Sequence, residues 1–296
     1  MADALFTFRE RSNHASRAPD PEDGIIKTGE TSVPHTKISS IAPRALVTGG
    51  SRGIGAKVAI ELANQGCDIT LCYHEKHKRA ASVAAVIARH GRRCDLVSGD
   101  LTRQDDLERV IQQVGAYEPY NAVVLSANGG LEPGKDLPYA MALNCYAPVA
   151  LATATMPLCA PDANIIYVTS HGAHFYYHQP VLPLYAHVAL SMQSGEQCLR
   201  RMSDLFARHQ ARLHVVSSDI IEGTTTASLI DRAIPGFLRR RREQVGRLPS
   251  IDEFAEAIVA KALSRRADDS GVQARWCGSV EPYLTGRAYG DPDAYR

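Results

Sequence analysis

Apolar residues fall into a regular pattern from about Ile41 onward. Ala45-Leu46-Val47 is a short continuous apolar run ending in glycines, which predicts a strand buried on both faces. Over 57–65 the spacing turns helical, with Val58, Ile60, Leu62 and Ala63 apolar, and Gly66 closes the helix. The alternation then repeats. Strands are predicted at 69–73, 95–98, 122–125, 165–168 and 213–216, with helices at 80–90, 105–114 and 140–158. Ser250 and Glu253 form a capping box that opens a further helix, apolar at Phe254, Ile258, Val259, Ala262 and Leu263. Strands alternating with helices predict an α/β class, a doubly wound parallel sheet with both faces covered. One such domain accounts for residues 41–280, so the chain divides into a 1–40 extension and a 41–296 domain with a C-terminal tail. The extension carries Pro19, Pro21 and Pro34 with many Ser, Thr and Arg residues and no sustained periodicity.

Composition narrows the class without naming a function. With 296 residues, 45% hydrophobic and 22% charged, the chain can bury a sizeable core. Lys plus Arg number 33 and Asp plus Glu 32, a balance that argues against nucleic acid or an anionic membrane as partner. No run approaches a membrane span, and the acidic start lacks the pattern of a secretory signal or transit peptide. Seven cysteines without a C-x-x-C pair suit reduced thiols, so a cytoplasmic setting is expected.

The candidate chemistry begins at Thr48-Gly49-Gly50-Ser51-Arg52-Gly53-Ile54-Gly55, between the first strand and first helix. Its glycines let the backbone turn tightly against a pyrophosphate, while the helix N-terminus offers free N–H groups to that anion. The spacing G-x-x-x-G-x-G after Thr48 resembles the short-chain dehydrogenase/reductase family, a single Rossmann-type domain, from about residue 43 to 280. That resemblance implies a nicotinamide cofactor held by Gly49, Ser51, Arg52, Gly53, Ile54 and Gly55. It also assigns Asp100 and Leu101 to the adenine, with Ala127 and Thr224 lining the same groove. Asp100 also reads as a turn cap. At the end of the second strand, where NAD-preferring members carry a carboxylate, stand Tyr73 and His74. His74, Arg52 and the nearby Lys76, Lys78 and Arg79 favour NADP over NAD.

The family's catalytic set is an Asn, a Ser and a Tyr-x-x-x-Lys. Asn144 and Ser170 match the first two. The last pair is absent. Taking Tyr185 as the family Tyr puts Ala189 at the Lys position, whereas the interval from Met192 to Asp219 equals the family's Lys-to-Gly interval. The second register is adopted, so Val188 replaces Tyr and Met192 replaces Lys. On that reading Met192→Lys alone should not create strong activity, because Val188 offers no phenol. Substitute proton carriers are sought in the loop after Ser170: His171, His174, Tyr177 and Tyr185, the last one turn before Val188 on nearly the same helix face. The histidines at 171, 174, 178 and 187 have no interleaved Cys or carboxylate, and no metal is expected. Glu222 is a further polar group toward the substrate. Arg239 to Arg242 reads as an exposed helix face or as an attractant for an acidic ligand.

These readings predict an NADP(H)-dependent oxidoreductase acting between ketone and alcohol, with a small-molecule substrate and a homodimeric or homotetrameric assembly. The alternatives are a dehydratase, isomerase or cyclase using the His/Tyr-rich loop, and a nucleotide-binding protein without turnover.

Overall fold

A computed structural model describes residues 42–117, 119–265 and 273–289. The predicted 1–40 extension lies outside them. The strands are β1 (Arg44–Val47), β2 (Asp68–Tyr73), β3 (Cys94–Ser98), β4 (Tyr120–Leu125), β5 (Cys159–Ser170), β6 (Arg212–Ser218) and β7 (Gln273–Cys277). All pair in parallel, in the order β3-β2-β1-β4-β5-β6-β7. The helices are α1 (Gly53–Asn64), α2 (His77–Arg89), α3 (Gln104–Val114), α4 (Leu137–Met141), α5 (Ala147–Thr155), α6 (His171–His174), α7 (Ala186–Arg200), α8 (Ser203–Arg208), α9 (Thr225–Ala233), α10 (Phe237–Val245), α11 (Ile251–Ala262) and α12 (Glu281–Leu284).

Successive strand residues point to opposite faces, and the core follows that period. Ala45 and Val47 join Ile166 and Val168 under α1 and α11, where Val58, Leu62, Phe254 and Ile258 pack. Leu46 joins Ile165 and Tyr167 on the other face, under Val110, Leu151, Leu199 and Phe206. Among the described residues no helix is long and apolar enough to cross a membrane.

Three differences from the sequence pattern have physical causes. The single helix predicted over 140–158 is broken by a π-helical turn at Ala142–Tyr146. Pro148 has no N–H for the Asn144 carbonyl, which takes the Tyr167 hydroxyl instead at 2.7 Å. β5 begins six residues before the predicted strand, at an isolated Tyr120↔Cys159 pair, and a register shift separates that pair from the regular pairing that starts at Ala122↔Asn164. α6 is four residues long, too short to show a period.

Strand order reverses between β1 and β4, and the β-strand ends open there into a cleft of about 570 Å³. Register delivers its polar edge: Ser170 at the end of β5 lies beside Ser218 at the end of β6.

Candidate active site

The cleft begins at the β1–α1 loop. Ser51, Arg52, Gly53, Ile54 and Gly55 all line it, and α1 starts without a side-chain cap, so its first N–H groups are left for a ligand. Gly55 is required for closeness: a Cβ there would lie 2.5 Å from the Gly49 carbonyl oxygen. Thr48 ties this loop to the next. Its hydroxyl accepts from the backbone N–H groups of Ser126 and Ala127, both at 3.0 Å.

At the far end of the cleft, Asp100 is the turn cap the sequence allowed, and it also lines the cleft. Its Oδ1 accepts from the Thr102 N–H at 3.0 Å and hydroxyl at 2.7 Å, while Oδ2 lies 3.5 Å from His74 Nε2. Partial burial pulls its pKa upward, but the Thr102 bonds and His74 outweigh this and hold the carboxyl below the usual range. Leu101 lines the cleft beside it. Arg52 is not directed at His74. Its guanidinium donates to the Thr225 hydroxyl at 2.5 Å, across the cleft at the start of α9. Thr224 caps that helix, accepting from the Ala227 N–H at 3.2 Å.

Asn144 sits in the π turn and holds the β4 loop rather than open space. Its amide accepts from Gly129 N–H at 3.1 Å and donates to Gly129 O and to Ser191 Oγ, each at 2.9 Å.

Ser170 and Tyr185 meet. Their hydroxyls are 3.0 Å apart, both residues line the cleft, and Tyr185 comes from a 3₁₀ turn leading into α7. The phenol also reaches Met192 Sδ at 3.5 Å. Ala173, Leu182, Val188 and Ala189 surround it, and burial pushes its pKa up, only partly offset by the Ser170 bond. This geometry corrects one expectation. Val188 does occupy the cleft wall, but a phenol stands beside Met192 after all, supplied from one turn earlier.

Residues 49–265 match a family profile described as enoyl-(acyl carrier protein) reductase, within the short-chain dehydrogenase/reductases. The chain belongs to the short-chain dehydrogenase/reductase family. The hydroxynaphthalene reductase of Aspergillus fumigatus is 31% identical over 163 residues, covering 52% of this chain and 59% of that relative. The chain thus spans under two thirds of that relative's length. Among solved structures, the reductase LugOII, which catalyses keto-reduction at C1 during lugdunomycin biosynthesis, superposes with a TM-score of 0.66 at 22% identity, over 80% of this chain and 97% of that one. The angucycline C-6 ketoreductase LanV, solved with bound NADP, gives a TM-score of 0.65 at 20% identity, over 82% and 96%. At these identities the two structures establish the fold.

This short-chain dehydrogenase/reductase keeps its loop histidines out of the cleft. His171 is fully buried behind Ser170, with Nδ1 2.8 Å from Ser217 Oγ and its ring packed edge-on against Phe175, Trp276 and Tyr283. His174 faces Glu196 at 2.8 Å, and Arg200 holds the other oxygen of that buried carboxylate at 2.7 Å. His187 reaches the Gly130 carbonyl at 2.7 Å. Tyr177 is exposed. The structure therefore brings Tyr185 alone of the four sought proton carriers to Ser170. A sequence shows that imidazoles are present but not which side of a short helix they take.

His171 instead makes the fold acid-sensitive. Burial lowers its pKa from 6.5 to about 4, against the pull of the Asp219 carboxylate and with the opposing charges of His174 and Arg241. Folded, it stays neutral where the unfolded chain takes up a proton. Stability is complete above pH 6.5 and falls as the pH drops toward about 4. The loss is of the order of 3 kcal/mol. Urea unfolding at neutral pH and near pH 4.5 should show it, and His171→Leu should shrink the difference.

The arginine run divides: Arg239, Arg240 and Arg242 are exposed on α10, as expected of a helix face, whereas Arg241 turns inward. Arg241 is 3% exposed and holds Asp219 through Nη2 at 2.9 Å, while Arg242 pairs with Glu222 at 2.9 Å. Asp219 lines the cleft and also accepts from the Tyr283 hydroxyl at 2.8 Å. Sequence reading missed this triad. The one signal was an acid at a strand end where the family carries Gly. Leu131, Glu132 and Tyr139, also in the cleft wall, came from loop and helix positions with no motif to mark them.

Proposed function

We propose that the protein is an NADP(H)-dependent ketoreductase in which Tyr185 gives the proton to the carbonyl oxygen and Ser170 orients that oxygen. The reading rests on the 3.0 Å pair of hydroxyls in a cleft that also holds the uncapped start of α1. The groove fits a dinucleotide: glycine at 55 permits close backbone approach, and residues 51–55 present N–H groups with no competing side-chain cap. Those residues would hold the pyrophosphate, and Asp100 and Leu101 the adenine. His74 with Lys76, Lys78 and Arg79 would favour the 2′-phosphate. When bound, the nicotinamide supplies the hydrogen and electron pair that reduce the carbonyl carbon.

The chain's own groups set the direction. A buried phenol with no cation beside it among the described residues remains protonated at neutral pH. That form can donate to a developing alkoxide, a stronger base, and cannot accept from an alcohol. Reduction is thus favoured over oxidation. The wall formed by Leu131, Leu143, Val188, Ile220 and Leu229 suits a flat apolar substrate, in keeping with the fused-ring compounds named for the relatives.

Met192 favours a second reading, a nucleotide-binding protein without turnover. Calorimetry with NADPH, followed by nicotinamide absorbance with a bicyclic aryl ketone, separates the two. Binding with consumption supports the ketoreductase; binding alone supports the second reading, and no binding overturns both. Met192→Lys is expected to raise alcohol oxidation at neutral pH roughly tenfold or more, because an opposite charge within contact range lowers a phenol pKa by about 1–3 units. Initial rates with NADP⁺ and the alcohol check this.

A further inference from the structure

Two cysteines meet where the π turn packs on α7. The crossing is at Gly195, where a Cβ would clash with the Asn144 carbonyl and lie 3.2 Å from Cys145 Cα. Cys198 follows three residues later, on the same face of α7 as Gly195. Its thiol lies within hydrogen-bonding reach of the Cys145 thiol. The two differ in access: Cys145 is buried and Cys198 exposed.

We propose that Cys145 and Cys198 are a modification site, a dithiol that peroxide converts to a reversible intrachain disulfide. Cys198 is the sulfur that peroxide can reach. It attacks one peroxide oxygen, the O–O bond breaks, and sulfenic acid and water result. The Cys145 sulfur then displaces hydroxide from Cys198, its own proton leaving with that hydroxide as a second water. Two thiols and one peroxide become one disulfide and two waters. Burial pushes the Cys145 thiol up to about 12, which makes it the slower, resolving partner.

The bond would matter to the cleft. Cys145 adjoins Asn144, whose amide holds Gly129 and Ser191, and α7 carries Met192. Drawing the sulfurs from contact to a bond of about 2.05 Å ties the Asn144 turn to the helix that carries the Tyr185 pocket.

The test uses the full chain treated with hydrogen peroxide, blocked with maleimide and digested for mass spectrometry. The expected product is one peptide pair joined through Cys145 and Cys198, released by dithiothreitol and absent from Cys198→Ser. Circular dichroism verifies that this exposed substitution leaves the fold intact. A free Cys145 beside a Cys198 sulfinic acid, a Cys198–Cys198 bond between two chains, or a disulfide joining other cysteines would overturn the proposal.

Discussion

Tyr185→Phe is expected to lower kcat for ketone reduction about 10²–10⁴-fold, the usual worth of a positioned proton donor. Affinity for the dinucleotide should stay near wild type. The ring is buried among Ala173, Leu182, Val188 and Met192, and Phe fills that volume without the hydroxyl. What goes is the 3.0 Å contact with Ser170 Oγ and the proton itself. The split between kcat and KM identifies the role, since a packing defect would move both. Ser170→Ala should cost activity too. It also removes the cap on α6, where Ser170 Oγ accepts from the Ala173 N–H at 3.1 Å, so a stability loss of about 1 kcal/mol accompanies it.

Arg241→Ala is expected to destabilise the fold by about 3–5 kcal/mol, the range for breaking one side of a buried ion pair. The Asp219 carboxylate would keep the Tyr283 hydroxyl and the Ile220 N–H at 2.7 Å, but no cation. The guanidinium also stacks 4.8 Å from the centre of the Tyr283 ring and donates to the Gln244 side chain at 2.6 Å. These contacts join β6, α10 and α12, so their loss is felt on three elements. Urea unfolding measures it. If the pair is the cause, Asp219→Asn combined with Arg241→Met should recover much of the loss, because no charge is then left unpaired. A change under about 1 kcal/mol for Arg241→Ala would place the stability of this region elsewhere.

The parts legible in the sequence were those with local causes. Residues 48–55 declare themselves because glycine geometry and a helix start act within eight neighbouring positions. Tyr185 was within reach because helical spacing puts it one turn before Val188. Its contact with Met192 was not, since that depends on how far a phenol leans along the helix. Asp219 and Arg241 are 22 residues apart, on a strand end and a separate helix, and only the packed fold joins them. His171 and His174 show the opposite failure: proton-handling residues beside Ser170 in sequence, turned into an aromatic cluster by α6. Pro148 was visible, but its consequence for the Asn144 carbonyl needed the position of Tyr167.

The central claim is that a buried phenol without a neighbouring cation carries the proton. The most direct measurement is the rate of alcohol oxidation with NADP⁺ as a function of pH. The phenolate needed for that direction forms only above the ordinary phenol pKa of about 10, so the rate should climb about tenfold per pH unit through neutrality without levelling. A rate that is already constant across neutral pH would contradict the account, as would no turnover at any pH.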